Sequence, residues 1–200
     1  TAADKAVILQ KLGLFHGTEK GMELERPVTR AEAITMVLRM IGEEEEALNF
    51  TGSNNFNDVT PEHRAHAIIS YAAENGYIHG TSETTFHPER TVTGQEFAKM
   101  LLTAFGYPEI TLHSAYEAGL KFSLLSDEQA KQAVETAGYT LLRDDVVNIC
   151  YDALFAIMPD GSTLKDVLVE KGVVDGETLN SVLNIEEDTF AESFAWKLNE

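Results

Sequence analysis

The sequence predicts an all-α fold assembled from small helix–loop–helix units. Apolar residues recur three and four positions apart in several segments, which is the spacing of one helix face. Threonine and glutamate three residues apart precede two of these segments, a pattern typical of helix starts. One unit also recurs along the chain, and such self-similarity indicates a repeat architecture. With 200 residues, 44% of them hydrophobic, the chain can bury such units against one another.

The clearest unit spans residues 55–107. Thr60 is a suitable N-cap and Pro61 a suitable first helical residue, so together they predict the start of its first helix. The apolar stripe that follows ends at Gly76, which we expect to close the helix in the left-handed conformation.

The second half of this unit is a loop followed by another helix. Because proline disfavours helical backbone in the residue before it, Pro88 predicts an extended segment over residues 85–87. Thr93 and Glu96 form a capping box that opens the second helix, and Gly106 ends it. The unit is therefore predicted as helix, loop, helix.

The same unit occurs earlier in the chain. Its turn recurs at a shift of 63 residues and its second helix start at a shift of 64, so one inserted loop residue reconciles them. The matched pairs are Gly17 with Gly80, Thr18 with Thr81, Thr29 with Thr93, and Glu32 with Glu96. The acidic run at residues 43–46 follows this first copy, and we interpret it as a solvated linker.

A third, altered copy follows residue 108. Ser123 stands where the second unit has its helix-ending glycine, and the segment Ser126-Asp127-Glu128 is placed to cap an additional helix that ends at Gly138. Residues 141–145 align with residues 92–96 at a shift of 49, which predicts a third helix start with Leu142 in place of the capping threonine.

These motifs resemble the S-layer homology (SLH) domain. The resemblance is carried by Phe56-x-Asp58-Val59, Gly76-Tyr77-Ile78-x-Gly80-Thr81, Phe86-x-Pro88, Thr93-x-x-Glu96 and, in the first copy, Thr29-Arg30-Ala31-Glu32. SLH domains usually occur in threes. The resemblance therefore implies three helix–loop–helix repeats with pseudo-threefold packing around a central three-helix bundle. We expect repeats at 1–50, 51–108 and 109–175, the third divergent, followed by a C-terminal tail at 176–200 of uncertain structure.

The resemblance also implies a function. It predicts non-covalent anchoring of a bacterial surface or S-layer protein to the Gram-positive cell wall, through binding of a pyruvylated secondary cell-wall polysaccharide. The chain would then be extracellular, at the cell surface or cell wall, and self-association in a surface layer is a further expectation. A structural scaffold or protein-interaction module that has lost glycan binding is the alternative.

Arg30 is the first candidate binding residue. A cation in the first turn of a helix opposes the helix dipole, so its placement there calls for a reason. The helix start offers free N–H groups to an anion, and a guanidinium binds carboxylates bidentately. Arg143 stands at the equivalent start in the third copy, whereas the second has Gly94, so we expect binding beside Arg30 and Arg143 and little beside Gly94. The competing interpretation is that Arg30 pairs with an acid such as Glu32 or Asp58.

The remaining candidate ligand-binding residues surround these helix starts. Thr29 and Glu32 flank Arg30, and Asp58 either braces the entry to the first helix of its unit or accepts from an arginine of another repeat. Gly17 and Gly80 are interpreted in the first place as residues that form turns. A sugar could also approach their backbone, since glycine has no side chain.

Charge and composition exclude several function classes. The net charge of −18 disfavours nucleic acid and anionic lipid as partners, and no apolar run is long enough to span a membrane, so no membrane insertion is expected. No catalytic triad order, paired-cysteine motif or phosphate-binding loop is visible, so we predict no enzyme and no cofactor. His63 and His66 are spaced as metal ligands could be, but no third ligand follows, and we predict no metal site.

Overall fold

The structure is a computed structural model that describes residues 1–107 and 109–183. Its described part is all-α, as predicted, and within it the only β pairings are isolated bridges. Most of the predicted tail, from residue 184 onward, lies outside the described residues.

Nine helices have defined bounds within the described residues, and a further helical segment covers residues 176–183. In chain order they are α1 Ala2–Lys11, α2 Arg30–Met40, α3 Glu44–Leu48, α4 His66–Glu74, α5 Gly94–Ala104, α6 Ala115–Lys121, α7 Glu128–Glu135, α8 Arg143–Ala153 and α9 Leu164–Glu170.

The two predicted capping boxes are confirmed. The Thr29 hydroxyl accepts from the Glu32 N–H at 3.2 Å while the Glu32 carboxylate accepts from the Thr29 N–H at 3.0 Å. Thr93 and Glu96 make the same reciprocal pair at the start of α5. At the start of α8, Asp145 accepts from the Leu142 N–H at 2.9 Å, but the leucine side chain has no oxygen that could accept the Asp145 N–H in return.

Two local predictions in the central unit are wrong. The first helix begins at His66 rather than at Pro61, because residues 61–65 form turns in which the His63 ring nitrogen Nδ1 accepts from the Ala65 N–H. The stretch before Pro88 is not uniformly extended, since His87 has a φ of +59°. Asp58 stabilises this turn by accepting from the backbone N–H groups of Phe86 at 2.9 Å and His87 at 2.7 Å.

The interpretation of the acidic run at residues 43–46 as a solvated linker is wrong. The segment after α2 forms α3, and the Glu43 carboxylate just before it accepts from the hydroxyls of Tyr71 at 3.1 Å and Tyr77 at 2.9 Å. Arg39 at the end of α2 also binds the Glu44 carboxylate through two nitrogens. The run therefore ties α2 to the α4 region.

The helices pack in a cyclic order. Each of α2, α5 and α8 packs against the first helix of another predicted unit: α2 on α4, α5 on α6, and α8 on α1. Of the three helices expected to form a central bundle, α2 packs directly against α5, whereas α8 lies mainly against α1 and α7. A unit of this kind buries its apolar face on a neighbour rather than on itself.

A ring of backbone hydrogen bonds joins the segments that precede these three helices. The Val28 N–H donates to the Leu141 carbonyl at 3.0 Å, Leu141 donates to Val92 at 3.0 Å, and Val92 donates back to Val28 at 2.9 Å. All three residues are buried. The ring brings the three helix starts together and so places the residues predicted to form the site.

Candidate functional site

Two grooves lie where the start of one helix crosses the glycine turn of another predicted unit. Groove 1 has a volume of about 200 Å³ and groove 2 about 330 Å³. Groove 1 is lined by Phe15, His16, Gly17, Thr18, Arg26, Val28, Glu32, Thr35, Met36, Arg39, Arg143 and Val146. Groove 2 is lined by Arg30, Tyr77, Ile78, His79, Gly80, Thr81, Glu96, Lys99, Met100 and Leu112.

The two grooves share a plan that follows the sequence repeat. Each has an arginine from a neighbouring helix start, a His-Gly-Thr turn, the glutamate of a capping box and a methionine one turn later. The structure thus brings Arg143, Gly17 and Glu32 together in groove 1, and Arg30 and Gly80 together in groove 2. Thr29 lies outside both linings, and its hydroxyl caps α2.

Arg143 lies over the loop of the first predicted unit. Its Nε donates to the Met22 carbonyl at 2.9 Å, one Nη donates to the His16 carbonyl at 2.8 Å, and its guanidinium stacks on Phe15 at 4.7 Å. Burial lowers the pKa of this guanidinium, and the nearby charge of Arg26 acts in the same direction. Among the described residues no carboxylate pairs with Arg143, so its charge is open to a ligand.

Arg30 makes the equivalent contacts in groove 2 but is more deeply held. Its Nε donates to the Phe86 carbonyl at 2.9 Å and its guanidinium stacks on the Phe86 ring at 4.5 Å. One Nη binds the Glu96 carboxylate at 2.8 Å, and the side chain is 4% exposed. The acid that pairs with Arg30 is therefore Glu96, 66 positions away, and not the Glu32 or Asp58 of the competing interpretation.

The expectation of free N–H groups at these helix starts is wrong. The Arg30 N–H donates to the Arg90 carbonyl at 2.9 Å, the Gly94 N–H to Tyr139 at 3.0 Å, and the Arg143 N–H to Arg26 at 3.0 Å. Carbonyl groups of a neighbouring unit thus occupy each helix start. An anion in either groove must be held by side chains rather than by the helix N-terminus.

The capping-box glutamates complete the electrostatics of the two grooves. Burial alone would raise the pKa of Glu96, but hydrogen bonds from Arg90 and the Thr93 N–H, with the charge of Arg30, hold it below its ordinary value. The same holds for Glu32. Burial alone would raise its pKa, but Arg26, which binds both carboxylate oxygens, holds the pKa below its ordinary value. Both acids are therefore ionised at neutral pH, and they compensate arginines rather than repel a ligand outright.

Asp58 holds a loop through backbone N–H groups instead of pairing with a neighbouring arginine, and Gly80 allows close packing of the loop backbone in groove 2. Burial opposes ionisation of Asp58, but the two backbone N–H groups it accepts keep its pKa below the ordinary value. A Cβ added to Gly80 would lie 2.7 Å from the Thr85 carbonyl oxygen and 2.8 Å from the Phe56 ring. Glycine is thus required by the close approach of the loop backbone, and this leaves the groove wall bare at that point.

The place of a third groove is filled by α7. A Cβ on Gly94 would lie 2.7 Å from the Ala133 carbonyl carbon and 3.1 Å from the Cα of Val134, both backbone atoms of α7. An arginine equivalent to Arg30 or Arg143 has no room there. The extra helix of the third predicted unit therefore explains why the second unit carries glycine at this position.

Sequence analysis missed three groove cations: Arg26, Arg39 and Lys99. Arg26 binds Glu32 at 2.8 Å, and Arg39 binds Glu44, so both are paired. Arg26 matches Arg90 in the second unit at the same 64-residue shift as the helix starts, and that correspondence is the signal that could have identified it.

Two further features of the described residues bear on the class of site. None of the described helices combines the length and the apolar character that crossing a membrane requires. In the same residues no group of three or more His, Cys, Asp or Glu side chains could hold a metal ion, and His63 lies in a turn before the helix that carries His66.

Comparison with known proteins finds one family model and several relatives that match this chain. Residues 55–98 match the model of the S-layer homology domain. The middle cell wall protein of Brevibacillus brevis is 26% identical over 147 residues, which cover 73% of this chain and 14% of that protein.

Two other relatives match shorter segments. The cellulosome-anchoring protein of Acetivibrio thermocellus is 32% identical over 74 residues, covering 37% of this chain and 17% of that protein. The surface-layer 125 kDa protein of Lysinibacillus sphaericus is 35% identical over 80 residues, covering 40% of this chain and 6% of that protein. The chain thus spans less than a fifth of the length of each of these relatives.

Proposed function

We propose that this chain is an anchoring module of three SLH repeats that attaches an extracellular bacterial protein to the cell wall. Its ligand would be an acidic secondary cell-wall polysaccharide, and the pyruvate ketal implied by the SLH resemblance is the acidic group we favour. The names of the relatives, which include a cell wall protein, an anchoring protein and a surface-layer protein, support the cell-surface role.

One observation carries the proposal. The same combination of inter-unit arginine, bare glycine turn and capping-box glutamate is built twice, and each time it lines a groove. Purely structural contacts would not require an open cavity at both places. In the third place, where α7 fills the space, the arginine is replaced by Gly94.

Groove 1 fits an anionic sugar best. Its lining has three arginines and one glutamate, although the chain as a whole carries a net charge of −18. Arg143 uses Nε and one Nη on backbone carbonyls, which leaves its other Nη without a partner in the described residues. A guanidinium has five N–H donors, so a ligand carboxylate can bind without displacing those contacts.

Binding to purified Gram-positive cell walls, before and after chemical removal of the secondary polymer, tests the proposal. We expect the parent protein to co-sediment with intact walls and not with stripped walls. Arg143→Gln should weaken binding roughly thirtyfold, the usual effect of removing one partner of a hydrogen-bonded charge pair. Arg64→Gln is the matched control, because Arg64 is exposed, pairs only weakly with Glu89 and lines neither groove.

The scaffold alternative is favoured by Arg30, whose guanidinium already binds the neighbouring unit through Phe86, His79 and Glu96. Under that alternative the parent protein shows no binding that depends on the polymer. Neither function includes a catalytic step. Self-association in a surface layer is a separate expectation, and the sedimentation velocity of the isolated chain at increasing concentration measures it.

A further inference from the structure

The two grooves differ in which cation lacks a carboxylate partner. In groove 1, Arg26 is bound to both oxygens of Glu32, at 3.1 and 2.8 Å, so that acid is fully engaged. Arg39 is likewise paired with Glu44. Arg143 has no carboxylate partner among the described residues, and it is therefore the uncompensated cation of groove 1.

Groove 2 reverses this arrangement. Its inter-unit arginine, Arg30, binds Glu96 at 2.8 Å and donates its other bonds to the carbonyls of Phe86 and His79. Lys99 also lines this groove, is partly buried, and makes no ion pair or side-chain hydrogen bond within residues 1–107 and 109–183. Lys99 is therefore the cation of groove 2 that has no partner among the described residues.

The cation without a carboxylate partner lies on a different wall in each groove. Lys99 follows Glu96 by three residues on α5, and the residue in the same place after Glu32 on α2 is Thr35. The Thr35 hydroxyl donates to the Ala31 carbonyl at 2.9 Å and brings no charge. Groove 1 thus presents its open cation from a neighbouring helix start, and groove 2 presents it from the face of its own helix.

Lys99 is half-buried as a residue, and its ammonium has no counter-ion among the described residues. An anion in groove 2 would supply that counter-ion. The wall beside it is apolar: Leu112 is 45% exposed and Met100 lies one residue beyond Lys99. A group that combines a carboxylate with a methyl or other apolar substituent fits both features.

We propose that Lys99, and not Arg30, contacts the ligand's carboxylate in groove 2, while Arg30 is a positioning residue that fastens two units together. This inference rests on the proposed function, since it assigns a residue of that same binding site. It makes the two grooves chemically distinct. Groove 1 uses a planar guanidinium that can align a carboxylate, and groove 2 uses an ammonium that acts as a point charge and tolerates more orientations.

Isothermal titration with a pyruvylated monosaccharide tests this assignment. The parent protein should bind two equivalents, and Arg143→Gln should leave one site, that of groove 2. Adding Lys99→Gln to that background should weaken the remaining site at least about tenfold, the effect of one charged hydrogen bond. Lys99→Arg, which keeps the charge, should bind within about threefold of the Arg143→Gln protein, where a factor of three is well under 1 kcal/mol.

Lys11→Gln is the charge-matched control, because Lys11 is exposed and lines neither groove. Thermal melting of each variant confirms that it is folded. If Lys99→Gln leaves the second site intact, or if Arg143→Gln alone removes all binding, the assignment of Lys99 is refuted while the proposed function stands. If the parent protein binds neither the sugar nor intact walls, the proposed function itself fails.

Discussion

Replacing Gly94 with alanine tests the account of the filled third groove. The added methyl group would lie against the Ala133 carbonyl, 2.7 Å from its carbon, and 3.1 Å from the Cα of Val134. These are backbone atoms of α7, so no flexible side chain can rotate away, and either α7 or the start of α5 must shift. Overpacking of this kind costs about 1–3 kcal/mol.

The gain in helix propensity opposes this cost. Alanine is favoured over glycine by up to about 1 kcal/mol inside a helix, and by less at a first helical residue. We therefore expect Gly94→Ala to lower the free energy of unfolding by about 1–2 kcal/mol. For a chain of this length, that corresponds to a fall in Tm of roughly 2–8 °C.

Equilibrium unfolding in denaturant, followed by circular dichroism, measures this loss. Gly176→Ala is the matched control, because Gly176 also begins a helical segment but an added Cβ would meet Val169 Cγ1 at an ordinary 3.4 Å. That control should be as stable as the parent or slightly more so. A Gly94→Ala protein that unfolds at the parent midpoint would show that α7 does not fill the third groove.

Four further predictions concern stability and reactivity. Arg30→Ala should cost about 3 kcal/mol in denaturant unfolding, because it removes the donor to two neighbouring carbonyls and one of the cations that bind the partly buried Glu96. An unchanged midpoint would contradict a fastening role. Thr29→Ala should cost about 1 kcal/mol in the same assay, the usual loss of an N-cap. The folded state holds the pKa of Glu96 below its ordinary value, so ionised Glu96 adds to the free energy of unfolding. This contribution is complete above about pH 4.3, the ordinary pKa, and is lost as the pH falls through the folded pKa. Between pH 6 and pH 3 the denaturant midpoint should therefore fall less in Glu96→Gln than in the parent. Cys150 is buried and its thiol pKa is raised by burial, so a thiol reagent should label it in denaturant and not in buffer.

The predictions that depended on neighbours in the chain were largely confirmed. Thr29 and Thr93 cap α2 and α5 through bonds that reach three residues along the chain. Ser123 was aligned with a helix-ending glycine, and it has a φ of +60°, close to the +73° of Gly13 and Gly76. Such signals act within one helical turn, so they can be recognised in the sequence.

The two wrong predictions in the central unit both come from hydrogen bonds made by side chains. Thr60 and Pro61 have the residue types of a helix start, but side-chain hydrogen bonding by His63 turns the chain before the helix begins. His87 adopts a positive φ before a proline because Asp58, 29 residues earlier, binds its N–H. In both places a hydrogen bond that the sequence did not reveal overrides the backbone conformation that the neighbouring residue types favour.

The sequence by itself determined the all-α class, the repeated unit, the capping boxes and the residue types gathered at three equivalent helix starts. Only the tertiary structure decided what each helix start contacts. Arg30 pairs with an acid 66 positions away, Arg143 spans 121 positions to the Met22 carbonyl, and Gly94 lies under α7. Charge compensation and free space depend on which backbone and side chains the fold brings within a few ångströms, and the spacing of residues along the chain does not specify that.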